Sequence, residues 1–351
     1  MEKPVTMMTE RETNKNYRIW IRDIKADTWV KESYLVKSKR SMLTKKGDPY
    51  LSMILSDKTG QIEARVWDRV EELSAQFKEG DVIQIEGYVT YFKDSMQLNI
   101  KEIRLQKGEI DPSVFLETTS KDISQMMKEL GDILGGIKNP YLQSVIDEFL
   151  KDTDFMSFFK RAPAGKNLHH PYLGGLLEHT LNVMKMCNQI SELYPFLDRD
   201  LLLCGAFLHD IGKIKEYQYD LHFDYTHEGR LLGHLILGIS MLEEKIKYID
   251  KIPKDLILKL KHLILSHHGE YEFGSPKRPK ILEAVVLHLV DEIDAKINGI
   301  YRFFEIDKNN GLWTGFSRVY DRFFLKGIIP EEDELKNDTG LRLQEDLFNR
   351  T

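Results

Sequence analysis

From residue 27 to 106, apolar and polar side chains alternate with a period of two, the pattern of strands with one buried face. Residues 29–44 (WVKESYLVKSKRSMLT) read as a long first strand, and Gly47-Asp48-Pro49 turns the chain. Residues 50–57 and 61–68 alternate on either side of the turn signal Asp57-Lys58-Thr59-Gly60. Residues 70–77 switch to helical spacing, Glu79-Gly80-Asp81 ends it, and residues 81–92 and 96–106 alternate again. Leu51, Met53 and Leu55 on the second strand, and Ile62, Ala64 and Val66 on the third, are the expected interior. Tyr50, Ser52 and Ile54, and Gln61, Glu63, Arg65 and Trp67, face outward. Beyond residue 120 the spacing is helical: residues 120–135 with Ser120 as N-cap candidate, 140–152, an apolar 155–159, and two strongly apolar helices around His179 and before His209. A Gly/Pro loop, residues 161–173, leads into the His179 helix.

Five strands with a helix between the third and fourth follow the plan of an OB-fold, a small Greek-key barrel. The expected organisation is a disordered leader (1–16), an all-β OB-fold barrel (17–107), a linker (108–120), an all-α helical domain (121–328) and an acidic mobile tail (329–351). OB-folds hold single strands with stacking aromatics and a basic groove. Lys37, Lys39 and Arg40, continued by Lys45 and Lys46, form a basic run, and Tyr50, Arg65 and Trp67 share the outward face. These are the nucleic-acid-binding candidates. The competing readings are a solvated edge that blocks strand addition and, for Trp67, a plug at a barrel end.

The 351 residues leave room for two domains, and 42% hydrophobic with 30% charged residues is a soluble composition. No run reaches the ~18 apolar residues of a membrane span, and residues 1–18 carry no apolar secretory core. Cys187 and Cys204 alone exclude a disulfide framework and a thiolate zinc site. A cytoplasmic protein without membrane contact is the expectation. A net charge of −6 excludes a uniformly basic coat but permits local basic patches.

Charge and chemistry collect in the helical half. His179 (LLEHTL), His209-Asp210 (GAFLHDIG), His234 (LLGHLI), His267 or His268 (LILSHHG) and Asp291 (LHLVDEID) all sit in apolar helical contexts. One such histidine is ordinarily a hydrogen-bonded core residue. Burying this many without a cation would cost about 1–3 kcal/mol for each unpaired group, so a shared metal site is expected. Histidine and carboxylate without thiolate suit Mn²⁺, Fe²⁺, Co²⁺, Ni²⁺ or Zn²⁺. The two oxygens of Asp210 can bridge cations ~3.5–4 Å apart. His179, His209 and Asp291 would complete one centre, His234 and His267 the other. Gly212 is expected in the left-handed conformation that ends a helix.

The ordered set H…HD…H…H…D resembles the HD superfamily of metal-dependent phosphohydrolases in its binuclear form. By that resemblance His179, His209, Asp210 and Asp291 are the defining ligands, and His234 and His267 the added ones. His268 is the alternative ligand or an outer residue. Lys213 of HDIGK matches a lysine placed near the substrate phosphate, so Asp210 and Lys213 are the catalytic candidates; the other reading of Lys213 is a cation at a helix C-terminus. With the N-terminal barrel, the motifs HHPYLGGLLEHT, FLHDIGK, DYTHEGRLLGH and SHHGE make the chain similar to the YhaM family of 3′→5′ exoribonucleases from about residue 27 to 324. The resemblance implies cleavage of single-stranded RNA, with single-stranded DNA as a second polymer, and two divalent ions, Mn²⁺ first. Hydrolysis of small nucleotides or cyclic dinucleotides is the rival enzyme reading; HHGE suits it, but YEFGSPKRP stands where a GYP signature would follow. A nucleic-acid-binding protein with an inert helical domain is the third.

Around the centre, Glu178 is expected either to orient its neighbour His179 or to face solvent, and His170, with His169, either to protonate the leaving oxygen or contact the substrate from its loop or to pack that loop. Lys166, Arg230, Lys277 and Arg278 are phosphate-contact candidates or ordinary surface charges. Tyr225, Tyr271 and Phe273 either stack bases or pack in the core. The aromatic residues 313–324 either fold back on the helices or form a subunit contact, which makes a homo-oligomer a further expectation.

Overall fold

The computed structural model describes residues 18–92, 95–166, 169–221 and 223–327; the expected leader and tail lie outside them. β1 (Trp29–Leu43), β2 (Pro49–Asp57), β3 (Gly60–Val66), β4 (Val82–Phe92) and β5 (Ser95–Leu105) close a barrel in the order β1-β2-β3-β5-β4. β3 and β5 pair parallel and the other neighbours antiparallel. The faces follow the alternation: Leu51, Met53, Leu55, Ile62, Ala64 and Val66 are all buried. β1 serves two partners because its register shifts between Val36 and Ser38, so its first half pairs β4 and its second half β2.

The helix α1 (Val70–Ser74) is shorter than its spacing suggested. Its last turn is closed by Lys39, whose ammonium donates to the carbonyls of Ser74 and Phe77, 2.5 Å from each, and lies over the Phe77 ring. Lys39 is therefore a structural cap and not a free phosphate contact.

The linker is stapled at both ends. The amide of Lys58 donates to Val114, and Phe115 packs with Leu35 and Val82 of the barrel. Glu117 takes two 2.6 Å hydrogen bonds from Arg302, and Thr118 bridges Leu173 of the helical domain.

The helical domain comprises α2 (Ile123–Leu134), α3 (Pro140–Leu150), α4 (Thr153–Phe159), α5 (Gly175–Leu193), α6 (Arg199–Leu208), α7 (Lys213–Glu216), α8 (His227–Ile246), α9 (Lys254–Ser266) and α10 (Leu282–Ile306). It is not purely helical: β6 (Tyr217–Gln218) and β7 (Asp224–Tyr225) form a small hairpin. Asp122, not Ser120, caps α2, since its carboxylate accepts from the Gln125 amide. The first half of α5 and most of α6 are buried almost all round, with Leu177, Met184, Leu202 and Phe207 in one core, whereas the second half of α5 exposes Lys185, Gln189 and Glu192. Residues 313–325 fold back on α10, with Phe324 against Phe303, Phe304 and Tyr320. Among the described residues no helix is long and apolar enough to cross a membrane.

Candidate metal centre and nucleic-acid interface

α5, α6, α8, α9 and α10 bring the expected ligands together in two adjoining clusters. In the first, His179 Nε2 lies 3.2 Å from His209 Nε2, 3.4 Å from Asp210 Oδ2 and 3.2 Å from Asp291 Oδ1. In the second, Asp210 Oδ1 lies 3.6 Å from His234 Nε2 and 3.5 Å from His267 Nε2. His268 Nε2 joins it, 3.1 Å from His234 Nε2. His267 and His268, the alternatives for one ligand, both reach the second cluster. Asp210 presents one oxygen to each.

Every imidazole is aimed from behind. His209 Nδ1 donates to the Ala206 carbonyl and His267 Nδ1 to the Ile264 carbonyl, both at 2.8 Å. His268 Nδ1 lies 3.1 Å from the Phe273 carbonyl. His179 Nδ1 lies 2.7 Å from Asp294 Oδ2, and His234 Nδ1 3.1 Å from Glu216 Oε1. With its outer nitrogen engaged, each ring turns Nε2 inward, which is how proteins fix metal-binding histidines. Two inward atoms, Asp210 Oδ1 and His267 Nε2, are buried with no hydrogen-bond partner. Such orphaned atoms, beside imidazoles and carboxylates at ligand spacing, fit divalent cations.

The electrostatics agree. Burial pushes the pKa of His267 down, and burial with His267 and His234 nearby brings His268 down to about 3, so both rings are the neutral form that ligates metal. Burial opposes charge on Asp210 and Asp291. Lys213 and His209 outweigh it at Asp210, and His179 and His209 at Asp291, so both stay carboxylates. Burial also opposes protonation of His179, but hydrogen bonds to Asp210, Asp291 and Asp294 raise its pKa well above the ordinary value.

Sequence reasoning missed Asp294 and Glu216. Asp294 lies one turn beyond Asp291 on α10, and also accepts from His170 and Asn182. Glu216 ends α7 and accepts from the backbone amide of His234 as well, 3.0 Å away. That amide is available because Gly233, at φ +71°, breaks α8 just before it. Spacing was the only available signal: a carboxylate one turn past a ligand, and one just after HDIGK.

Gly212 is also corrected. Its φ of −62° and ψ of −21° are right-handed helical. Glycine is needed there because a Cβ would stand 1.9 Å from the His234 carbonyl oxygen. Lys213 is buried, and its ammonium donates to Asp210 Oδ2 at 2.6 Å. Glu178 does not orient His179. It accepts from Thr119 and Tyr172 and pairs with Lys121, tying the linker to α5. His170 is buried between Tyr172 and Asp294, behind the first cluster.

On the barrel, Tyr50 stacks on Trp67 with centroids 4.9 Å apart, and Arg65 lies 5.5 Å over Tyr50. Trp67 is 47% exposed and donates to Asn99, so it stands on the outer face and plugs nothing. Strand register places Trp29, Tyr88, Asn99, Arg65, Ser52 and Arg40 in one outward row without an acid. Lys37 is exposed beside the linker cleft. Lys166 and Arg230 share Asp224, and Arg278 pairs with Glu270 over Tyr271, whereas Lys277 is exposed. Tyr225 packs against Tyr217, and Tyr271 and Phe273 are exposed.

Residues 176–296 match the family model of the HD domain, and residues 35–106 that of an OB-fold nucleic acid binding domain. The chain is 35% identical over 297 residues to a 3′-5′ exoribonuclease YhaM of Geobacillus sp. (strain WCH70), covering 84% of this chain and 91% of that one. It is 34% identical over 280 residues to the protein of the same description from Bacillus subtilis (strain 168), covering 79% and 88%. A third, from Halalkalibacterium halodurans, is 36% identical over 279 residues, covering 78% and 86%.

Proposed function

Because the chain belongs to the YhaM family of 3′-5′ exoribonucleases, and so is a metal-dependent exoribonuclease, we propose that it shortens single-stranded RNA, and single-stranded DNA, at a centre for two divalent cations, Mn²⁺ first among them. The observation that carries the two-cation reading is Asp210, whose oxygens face separate clusters. His179, His209 and Asp291 would hold one cation with Asp210 Oδ2; His234, His267 and His268 the other with Oδ1. When bound, the pair supplies a nucleophile at neutral pH and compensates charge on the phosphate. Lys213, beside Asp210, adds a point charge for a phosphate oxygen. Tyr50 and Trp67 offer a face for bases, with Arg65, Arg40 and Lys37 for the backbone. Lys277 and Arg278, on the loop after the second cluster, are further phosphate contacts.

The test is digestion of end-labelled RNA and DNA across a series of divalent metals. Mn²⁺ is expected to support removal of nucleotides from the 3′ end, and His209→Ala with Asp210→Ala to abolish it. Intact RNA with metal-loaded wild type would reject the reading.

A cytoplasmic location suits the two buried, unpaired cysteines. A homo-oligomer through α10 is supported by its exposed stripe of Leu282, Val285, Leu289, Ile293, Ile297 and Tyr301. Apolar patches this continuous are uncommon on monomers, and sedimentation of Ile293→Asp against wild type tests it; a monomeric wild type would end this proposal.

A further inference from the structure

Between the barrel and the helical domain lies a cleft of about 880 Å³. Lys37, Lys58 and Gln61 line it from the barrel, and Lys166, Pro171 and Phe223 from the helical side. Pro171 follows His170, which touches Asp294 behind the first metal cluster. Phe223 leads into β7. Gly165, the neighbour of Lys166, lies against His169, whose ring centroid is 5.8 Å from that of His179, so the Lys166 end of the cleft adjoins the rim of the first cluster.

At that rim two cations from different elements converge on one carboxylate. Lys166 Nζ, from the loop before α5, lies 2.9 Å from Asp224 Oδ1. Arg230 Nη2, from the first turn of α8, lies 2.9 Å from Oδ1 and 3.0 Å from Oδ2. The Tyr225 ring sits beneath both, 5.6 Å from the ammonium and 6.0 Å from the guanidinium. Hydrogen bonding to Lys166 holds the Asp224 pKa at about 2, so the group is a permanent anion. Its side chain is 28% exposed and its partners 36% and 58%. Ion pairs this open contribute little to stability, so exchanging the anion costs little. Two donor groups and an aromatic floor around an acceptor with two oxygens would hold a phosphodiester equally well.

We infer that Asp224 occupies the seat of an RNA backbone phosphate: an arriving strand displaces the carboxylate, and Lys166 and Arg230 then grip the strand at the entrance to the metal centre. This rests on the proposed RNA substrate, but not on cleavage. In the free protein Asp224 keeps the two cations from capturing other anions and sets a threshold that a polyanion passes more readily than a single phosphate.

The test is equilibrium binding of a nuclease-resistant phosphorothioate oligoribonucleotide to the full-length, Mn²⁺-loaded protein over a range of salt concentrations. Asp224→Asn keeps the side-chain shape and removes the charge. Its Kd is expected to fall several-fold at low salt. The slope of log Kd against log salt should steepen by about 0.7–1.4, the contribution of one or two phosphates on a single strand. Adding Lys166→Met to Asp224→Asn should reverse both changes. A Kd that is unchanged or raised, with an unaltered slope, would show that Asp224 only staples the loop to the hairpin. If Asp224→Asn loosens the fold, Arg230→Met decides: weaker binding supports the seat, and unchanged binding overturns it. A wild type that binds this strand yet leaves ordinary RNA intact would sink the exonuclease proposal and not this one.

Discussion

Replacing Glu216 by Gln should uncouple the two metal sites. Glu216 is 5% exposed, and its Oε1 accepts from both the amide and the ring of His234, at 3.0 and 3.1 Å. Burial works against its charge, but the hydrogen bonds from His234 hold its pKa below the usual carboxylate value. Glutamine keeps the length and one acceptor and loses the charge that fixes the tautomer of His234. It also places an NH₂ group where Oε2 is buried without a partner. Losing such a carboxylate behind a ligating histidine typically weakens metal binding about 10–100-fold, or ~1.4–2.8 kcal/mol. The loss should fall on the second site alone, since Asp294 holds His179 in the first. Calorimetric titration of Mn²⁺ into the full-length protein, with metal content measured after dialysis, reads the two equivalents separately. One equivalent should bind as in wild type and the other more weakly, and Asp294→Asn should give the converse pattern. Two equivalents weakened alike, or neither weakened, would refute the assignment of one orienting carboxylate to each site.

Three further outcomes follow from the same geometry. The raised pKa of His179 means that, in the metal-free chain, the stability from its protonated ring is complete below about 6.5 and lost as pH rises through the higher folded value. Cation binding must expel that proton, so apparent Mn²⁺ affinity should rise with pH above 6.5 with net proton release, measurable from titrations in buffers of different ionisation enthalpy; a flat profile would contradict it. Trp67→Ala removes the stacking face with Tyr50, which for one base is worth about 1–3 kcal/mol; KM for RNA should rise at least about fivefold, and a change under twofold would take the platform out of the binding path. Gly212→Ala puts a methyl group 1.9 Å from the His234 carbonyl oxygen, so it should lower the melting temperature and weaken one Mn²⁺ equivalent, whereas unchanged melting would show that α8 yields freely.

The barrel was legible because each of its strands has one buried face, and period-two alternation records that directly. The ligands were legible because a histidine or aspartate in an apolar helix needs a partner, whatever that partner is. The outer shell was harder to read, and helix ends explain which parts. His209 and His267 are the C-caps of α6 and α9, where last-turn carbonyls lack helical partners. Each ring takes the carbonyl three residues back, so its orientation follows from local chain geometry. His179 lies inside α5, where the neighbouring carbonyls are already used, and His234 directly follows the break in α8 at Gly233, and each takes an acceptor from another element: Asp294 from α10 and Glu216 from α7. No spacing rule within α5 or α8 points to those residues. The same distinction separates Lys37, which the fold leaves exposed, from Lys39, whose carbonyl partner Ser74 lies 35 residues away. A basic residue is visible in a sequence, but whether its charge is free for a phosphate depends on which distant carbonyl or carboxylate the fold brings to it. At this centre the residues proposed to hold a cation are visible in the sequence, and those that orient them are found through the histidines they support.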